Sequence, residues 1–263
     1  MNELALIMGN HEELTSTPLV AEVHNRLLRR LPAEEISRVL AVSARVHIRP
    51  RQVLHHYKLP MEYVYFVEQG LVSVAAKVGH EKFVEVWLIG SEGLVGAPVI
   101  LNKCTDPLHR RTVQVEGVAL QIAVQDFRRL VKELPMMREM VNAYLAVVLV
   151  QTSQSGACNS VHQLKQRLAR WLLLAHNALG SDDLPLTHEV LAQLLGVRRA
   201  SVTEGLEVLQ REGLVSAKRG SIRIEKVGEL ESICCDCFRL INREYERQLD
   251  ITALDNAMES EHR

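Results

Sequence analysis

Two adjacent arginines, Arg198 and Arg199, are the first residues whose types and spacing could do chemistry. They lie in the stretch LAQLLGVRRASVTEGLEVLQREGLV. A guanidinium group is a planar fork of N–H donors that matches a phosphate or the O6 and N7 edge of guanine. Residues 196–224 contain six basic and three acidic side chains, within a chain whose formal net charge is −1. This local excess predicts a nucleic-acid contact, although a solvated helix start gives the same pattern.

The cysteines could bind a metal. Cys234 and Cys237 have the C-x-x-C spacing that occurs in zinc and redox sites. The same region also fits the apolar stripe of a terminal helix, which consists of Leu230, Ile233, Cys234, Cys237 and Ile241. Only Cys104, Cys158 and Cys235 remain to complete a site with four thiolates. We therefore interpret the cysteines as buried structural thiols and assign neither a metal nor a cofactor.

Two adjacent histidines, His55 and His56, could ligate haem or a metal. They lie in a predicted strand, where successive side chains point to opposite faces. Both histidines therefore do not easily serve one site.

Length and composition predict two folded units without a membrane segment. The chain has 263 residues, of which 47% are hydrophobic, enough for one or two cores. With 31 basic and 32 acidic side chains, only a local cluster of charge can attract DNA. The first residues lack the features of a signal peptide, and the longest apolar run, residues 143–150, is far shorter than the roughly 20 residues of a membrane span. We expect a cytoplasmic protein with reduced thiols.

Changes in hydrophobic periodicity divide the chain into segments. Helical spacing interrupted by Pro32 predicts two short helices between residues 20 and 40. Short alternating or apolar runs follow to residue 124, separated by turn pairs such as Gln-Gly and Glu-Gly, which is typical of an antiparallel barrel or sandwich. Asp126 then begins a short capped helix, and Pro135 begins a long one. The expected tail, sensor domain, dimerisation helix with hinge, and DNA-binding domain with a C-terminal helix cover residues 1–19, 20–134, 135–158 and 159–263.

The long helix is apolar on two faces. Its two stripes consist of Met137, Val141, Tyr144, Val148 and Gln151, and of Met140, Leu145 and Leu149. One face can pack on the β-rich domain and the other needs a partner. The pattern therefore predicts a homodimer whose two copies pair along Met137, Val141, Tyr144 and Val148. A helix buried inside one large core is the alternative, and the stretch SGACNS, residues 155–160, is expected to form the hinge.

The C-terminal domain has the pattern of a winged helix-turn-helix. LTHEVLAQLLG predicts a helix with Thr187 as its N-cap and Gly196 at the turn, and the next stretch predicts a second helix that begins at the two arginines. LVSAKRGSIRIEKV predicts two strands with Lys218 and Arg219 at a basic tip. In this motif the N-terminal end of the second helix enters the major groove. The two arginines are therefore expected to reach guanine or phosphate.

This order of elements resembles the Crp-Fnr family of bacterial transcription regulators. The resemblance covers about residues 20–240 and is most specific in LTHEVLAQLLGVRRASVTEGLEVLQREGLV. It implies an α+β fold with an N-terminal double-stranded β-roll, a jelly roll of the cyclic-nucleotide-binding type, followed by a long dimerisation helix and a C-terminal winged helix-turn-helix. It also implies a DNA-binding surface that consists of Thr187, Arg198, Arg199, Ala200, Ser201, Thr203, Glu204, Lys218 and Arg219.

The recognition helix departs in part from the family pattern, which reads SRETVSR or close to it. Arg199 and Ser201 match that pattern. Ala200 and Glu204 replace a Glu and an Arg, and Arg198 stands where a capping Ser is common. The DNA half-site of the family is therefore not expected to carry over.

The resemblance also places an effector between the β-roll and the long helix. Members that bind cyclic nucleotides carry a Gly-Glu pair whose carboxylate holds the ribose, and a later Arg-Ser or Arg-Thr pair for the cyclic phosphate. Here Ala97 follows Gly96, so that carboxylate is missing, while Arg111 and Thr112 in the stretch HRRTVQV keep the anion half. A second interpretation is equally open, in which Arg111 is an ordinary cation at the end of a strand. The implied effector site consists of Gly96, Ala97, Arg111, Thr112 and Tyr144. We expect cyclic AMP and cyclic GMP not to bind at micromolar concentration.

A ligand-responsive DNA-binding regulator explains every segment of this sequence. A regulatory module of a signalling enzyme or complex, without DNA binding, explains only the first half. An enzyme explains neither half, because the sequence offers no set of nucleophile, base and acid in a suitable context. The expected partners are a palindromic promoter site in double-stranded DNA, a second copy of the chain, RNA polymerase, and an effector that the sequence does not identify.

Overall fold

Two short turns and one helix precede the β-rich domain. The computed structural model describes residues 20–79, 82–101 and 106–250, so the predicted tail, residues 1–19, and Cys104 lie outside the described residues. The first elements are the 3₁₀ turns Val20–Glu22 and Leu28–Arg30 and helix α1, Ala33–Leu40. Of the two helices predicted between residues 20 and 40, only the second forms, as α1, and the first segment forms the two 3₁₀ turns. Asn25 explains the difference, because its buried side chain accepts from the Leu28 amide and donates to the Val67 carbonyl.

The β-roll is a single six-stranded antiparallel sheet, which confirms the predicted fold class. Its strands are β1 Ser43–Ile48, β2 Val53–His55, β3 Tyr63–Val78, β4 Lys82–Ile89, β5 Leu94–Val95 and β6 His109–Ala123. They are ordered β1-β6-β3-β4, with β2 paired to β6 and β5 paired to β3. Valine, isoleucine and aromatic residues dominate these strands and suit a pleated, buried surface. Four of the five predicted effector-site residues, Gly96, Ala97, Arg111 and Thr112, lie in or beside β5 and β6, and Tyr144 lies on the long helix that follows.

Two glycines allow β3 and β6 to run through the whole sheet. Gly70 has a φ of 96°, and a Cβ at Gly117 would lie only 2.0 Å from the Gln69 carbonyl oxygen. The register between the strands shifts on both sides of Gly70. The turns predicted at Gln-Gly and Glu-Gly are therefore bends inside continuous strands, because glycine permits this close backbone approach without ending the ladder.

Helices α2 and α3 follow the sheet. They span Val124–Glu133 and Pro135–Val161. Asp126 forms an ion pair with Arg129 and does not cap α2, whose N-cap residue is Ala123. Glu35 of α1 lies at the N-terminal end of α3. Its carboxylate accepts hydrogen bonds from the Met136 and Met137 amides at 3.2 and 2.8 Å. A negative charge at this end stabilises the helix.

The predicted hinge at residues 155–160 is not a break in the helix. Helix α3 continues through these residues to Val161, and the Ser160 hydroxyl donates to the Gly156 carbonyl one turn earlier. The segment contains one glycine and no proline, which is too little to interrupt 27 residues of helix. The chain turns instead at His162 and Gln163, where Gln163 and Gln166 form a capping box.

The C-terminal half forms the predicted winged helix-turn-helix. Its helices are α4 Leu164–Leu179, α5 His188–Leu195, α6 Arg199–Arg211, α7 Val227–Ile233 and α8 Cys237–Leu249, and its strands are β7 Asp183–Leu184, β8 Val215–Lys218 and β9 Ser221–Ile224. The strand order is β7-β9-β8. The cysteine-containing stripe predicted for one terminal helix is divided between α7 and α8, because Cys234 has an extended backbone with ψ at 156°.

Helix α8 returns to the sensor half and packs on α3. Tyr245 of α8 is buried and donates its hydroxyl to Gln151 Oε1 at 3.1 Å. The stripe predicted as the dimer seam is covered inside the chain, where no side chain of Met137, Val141, Tyr144 and Val148 exceeds 8% exposure. This corrects the expected role of that stripe, since side chains without free surface have nothing to offer a second copy. Leu149 is 70% exposed instead.

A buried carboxyl group makes the β-roll sensitive to pH. Glu85 on β4 accepts from Gln114 Nε2 at 3.1 Å, and its second oxygen has no hydrogen-bond partner among the described residues. Burial raises the pKa of Glu85 from 4.5 to about 8. Burial and the charge of Arg111 lower the pKa of His55 from 6.5 to about 3. The stability that neutral Glu85 contributes is therefore complete below pH 4.5 and is lost as the pH rises through about 8.

We expect Glu85→Gln to remove this loss. Between pH 6.5 and 8 the contribution of His55 to stability is constant. The free energy of unfolding of the variant minus that of the wild type should therefore increase by up to about 1.4 kcal/mol per pH unit as the pH rises. Urea denaturation at several pH values measures this difference. Glu116→Gln, at an exposed carboxyl on β6, is the matched control. Parallel stability curves for the wild type and Glu85→Gln would contradict the prediction.

Candidate nucleic-acid interface and effector site

The local sequence ends the first helix of the helix-turn-helix and begins the second within three residues, 196–198. Thr187 caps α5, its hydroxyl accepting from the Val190 amide at 3.2 Å. Gly196 ends α5 with a φ of 65°, a left-handed conformation that favours glycine. Arg198 is the N-cap residue of α6, with no hydrogen bond from its side chain to the helix. The exposed Arg198 and Arg199 therefore lie at the N-terminal end of α6, as the sequence predicts.

A groove of about 430 Å³ separates α6 from the wing. Five of the residues predicted to contact DNA line it together, namely Thr187, Arg199, Thr203, Lys218 and Arg219. Lys218 and Arg219 are exposed on the turn between β8 and β9, opposite the recognition helix. The groove thus presents three cations from two elements, an arrangement suited to a phosphate backbone. Ala200 and Glu204 are exposed on α6 and Ser201 is half-buried, but none of the three lines this groove.

Three further residues with polar side chains line the groove and were missed by the sequence reasoning. They are His188, Glu207 and Gln210. Glu207 lies four residues after Thr203, so the spacing of side chains on one helix face could have found it. His188 was not predictable in this way, because its Nδ1 lies 2.9 Å from the Thr203 hydroxyl through contact between two helices. Gln210 accepts from the Ala217 amide at 2.8 Å and fixes the wing against α6.

A second cavity, of about 560 Å³, lies between the β-roll and the recognition helix. Phe83, Glu85 and Arg110 line it from the roll, and Arg198 and Arg199 line it from the start of α6. The two halves also touch at the end of α4, where a Cβ at Gly90 would lie 2.5 Å from the Ala178 carbonyl oxygen. In this arrangement the N-terminal end of α6 therefore faces the sensor domain as well as the groove.

The predicted effector site centres on a buried arginine. Arg111 is 3% exposed, and Nε of its guanidinium group has no hydrogen-bond partner among the described residues. Its Nη1 reaches only neutral atoms, the His109 carbonyl oxygen at 3.3 Å and Met61 Sδ at 3.9 Å. Burial lowers the pKa of Arg111 to about 10, so the group stays charged at neutral pH. A buried cation with so few acceptors can bind an anion.

Most of the other predicted effector residues lie around Arg111. His55 pairs with Arg111 across β2 and β6, and a Cβ at Gly96 would lie 3.0 Å from His55 Cε1. Tyr144 of α3 is buried, which raises the pKa of its hydroxyl, and the charge of Arg111 is near enough to oppose that rise. Thr112 follows Arg111 on β6 and points to the opposite face of the strand, so the two side chains do not form one site.

Ala97 occupies the position at which cyclic-nucleotide binders of the family carry the glutamate that holds the ribose. It begins the 3₁₀ turn Ala97–Ile100 and is 1% exposed. Gly96 precedes it with a φ of 98°, which fixes the sharp entry into the turn. A methyl group at this buried position offers no acceptor to a ligand hydroxyl.

Two family models match the two halves of the chain. The cyclic nucleotide-binding domain matches residues 45–133, and the Crp-like helix-turn-helix domain matches residues 166–233. The chain belongs to the Crp-Fnr family of transcription regulators. This Crp-Fnr regulator therefore binds DNA through its helix-turn-helix domain and senses an effector. No curated protein matches the chain significantly.

Solved structures of other Crp-Fnr regulators share the fold at low sequence identity. A putative regulator from Eubacterium rectale is 18% identical, with a TM-score of 0.60 over 79% of this chain and 96% of that one. The c-di-GMP responsive global regulator CLP from Xanthomonas campestris is 20% identical, with a TM-score of 0.62 over 73% and 99% of the two chains. FixK2 from Bradyrhizobium japonicum is 15% identical, with a TM-score of 0.64 over 74% and 98%.

We expect Arg199→Ala to reduce sequence-specific binding. On a site selected from random DNA, the loss of a base contact should cost about 1 to 3 kcal/mol, with a much smaller loss on random duplexes. Arg243→Ala removes an equal charge from the exposed face of α8 and should leave both affinities unchanged. Fluorescence anisotropy at several salt concentrations measures the affinities. Equal losses on both kinds of DNA would mean that Arg199 contacts phosphate and does not read bases.

Proposed function

We propose that this Crp-Fnr regulator acts as a homodimer on a palindromic promoter site and responds to an anionic effector bound at Arg111. The effector is neither cyclic AMP nor cyclic GMP. Thr187, Arg198, Arg199, Ala200, Ser201, Thr203, Glu204, Lys218 and Arg219 form the DNA surface in this proposal. RNA polymerase is the further partner, and the compartment is the cytoplasm. None of the helices in the described ranges is long and apolar enough to cross a membrane.

The burial of Arg111 is the observation that carries the effector proposal. A guanidinium group removed from water without a carboxylate loses hydration that its few neutral contacts do not replace. An anion bound against Nε and Nη1 would restore a charge-assisted hydrogen bond. Cyclic nucleotides suit this site poorly, because Ala97 leaves the ribose hydroxyl without its acceptor at a cost of about 1 to 3 kcal/mol, which is about 5- to 150-fold in affinity.

The contact between the two halves supports a change of domain position on binding. The start of α6 lies beside Phe83 and Arg110 of the roll, so a DNA duplex and the roll compete for the same end of the recognition helix. A ligand shifts such an equilibrium only through contacts that differ between the two states. Tyr144 of α3 would supply such a contact to an anion at Arg111, because the charge of Arg111 is near enough to act on the pKa of Tyr144.

The free side of α3 supports dimerisation. Leu149 is 70% exposed and Val150 is 37% exposed on this helix. The exposed residues Asn142, Ser153, Gly156 and Ala157 continue the same side with small or uncharged groups. Two such helices can pack closely about a two-fold axis. A two-fold dimer would place its recognition helices about 34 Å apart, which requires a palindromic site.

The alternative function, a regulatory module of an enzyme without DNA binding, is not favoured. It leaves the Crp-like helix-turn-helix match at residues 166–233 unexplained. It also does not explain why three cations line the groove between α6 and the wing.

Calorimetric titration with cyclic AMP and cyclic GMP tests the effector proposal. We expect no binding at micromolar concentration. We also expect sulfate, at ionic strength matched with chloride, to raise the melting temperature of the wild type more than that of Arg111→Gln. The difference between the two proteins removes the general effect of sulfate on protein stability. Micromolar binding of cyclic AMP that Arg111→Gln abolishes would overturn the proposal.

Sedimentation of Leu149→Glu tests the dimer. At micromolar concentration the wild type should sediment as a dimer and Leu149→Glu as a folded monomer, because a buried charge would cost several kcal/mol at the seam. Leu108→Glu, at a leucine that is 61% exposed outside α3, is the matched control and should remain dimeric. Val148→Glu should instead unfold the chain, since Val148 is buried within it. A monomeric wild type would contradict the proposal.

A further inference from the structure

Three cysteines and one histidine meet where α3 ends and α8 begins. Cys158 and His162 lie one turn apart at the end of α3, and Cys235 and Cys237 lie at the start of α8. The four possible ligand atoms of this thiol cluster all lie within 4.8 Å of one another. The sequence pairs Cys234 with Cys237 by spacing, whereas the fold selects Cys235 and adds two residues that are more than 70 positions away.

Two of the separations in the thiol cluster are close to the edges of a tetrahedron around one ion. A zinc ion with Zn–S bonds of about 2.3 Å and a Zn–N bond of about 2.05 Å places sulfurs about 3.8 Å apart, and sulfur about 3.6 Å from nitrogen. Cys158 Sγ lies 3.5 Å from Cys235 Sγ, and Cys237 Sγ lies 3.5 Å from His162 Nδ1. A small movement of the side chains therefore completes the coordination.

A buried arginine lies beside the thiol cluster and would be stabilised by a negative charge there. Arg170 of α4 is 0% exposed, and its Nε and Nη2 have no hydrogen-bond partner among the described residues. Its Nη1 is 3.4 Å from the hydroxyl of Ser155, one turn before Cys158, and its charge acts on the Cys158 thiol. One divalent cation with three thiolates and a neutral imidazole carries a net charge of −1. That charge would balance the cation of Arg170.

The surroundings also contain a donor to sulfur. Gln154 Nε2 donates to Cys237 Sγ at 3.1 Å. Outer hydrogen bonds of this kind orient metal ligands and adjust their affinity. Cys234 differs from the cluster residues, because its thiol is directed to the Gln166 carbonyl oxygen at 3.9 Å.

We propose that Cys158, His162, Cys235 and Cys237 bind one four-coordinate thiophilic divalent cation, of which zinc fits best. Three thiolates and one imidazole form a closed set that leaves no position for substrate, which is the pattern of a structural site. A multi-iron cluster would need its cysteines farther apart than they lie around a single ion. The cation would join α3 to the segment before α8 and so hold α8 on the long helix.

Metal analysis and cobalt substitution of the full chain test this proposal. Protein purified under reducing conditions without a metal-binding tag should contain about one zinc ion per chain. After zinc removal, cobalt(II) should produce the visible bands of tetrahedral coordination and the ultraviolet bands of cobalt–thiolate bonds. Zinc should displace the cobalt and bleach both sets of bands. Zinc below about 0.1 per chain after incubation with the ion, octahedral cobalt spectra, or iron with sulfide would each overturn the proposal.

Single substitutions separate the cluster from its neighbour. Cys235→Ser should weaken zinc binding by more than about 100-fold, beyond the effect of losing an outer hydrogen bond. Cys234→Ser is the matched control, one residue away in the same segment, and should keep full zinc and the wild-type melting temperature. Equal loss of zinc in both variants would overturn the assignment. Because Cys235→Ser could unfold, the cobalt spectrum of the wild type decides the coordination independently.

Discussion

Helix α3 is apolar on most of its surface, and the rest of the molecule packs around it to bury all but one side. The β-roll covers one side and α8 covers another. Polar contacts then hold the helix along its length. Glu35 accepts its first amides, Tyr245 binds Gln151 in the middle, and the thiol cluster lies at its last turn. A movement of α3 would therefore change packing contacts in both halves of the regulator.

Buried charges mark the two places where a ligand is expected. Arg111 and Arg170 are both nearly or fully buried, and each has at least one guanidinium nitrogen without a hydrogen-bond partner among the described residues. Arginine cannot escape the cost of burial by losing its proton at neutral pH, so it requires an acceptor. Glu85 meets the same constraint differently, because burial raises its pKa to about 8 and leaves it neutral. The contrast separates a carboxyl that tolerates burial from cations that need an anionic partner.

The recognition helix is placed between two competing surfaces. Arg199 lines both the groove beside the wing and the cavity against the roll. Gly90 permits the tight contact with Ala178 that keeps the two halves together. In the proposed function, sensing and DNA binding are coupled through this shared surface, which is a physical route for a two-state change in domain position.

Local patterns in the sequence determined the order of domains, the winged helix-turn-helix and the position of Arg198 and Arg199, because helical periodicity, caps and turn glycines act over a few residues. The resemblance to the Crp-Fnr family pointed to Arg111, but it assigned Thr112 to the same site, although these adjacent side chains lie on opposite faces of β6. Local reasoning placed strand ends at Gln-Gly and Glu-Gly, where the tertiary structure bends continuous strands through Gly70 and Gly117.

Only the tertiary structure decided which side of α3 is free and which cysteines meet. Periodicity shows that two faces are apolar but not which neighbour covers each, and α8, about 100 residues later in the chain, covers the stripe that includes Gln151. Cys158 and Cys235 are likewise separated by 77 positions. Contacts at such distances depend on how whole helices pack, because packing combines surfaces that no local window of sequence contains.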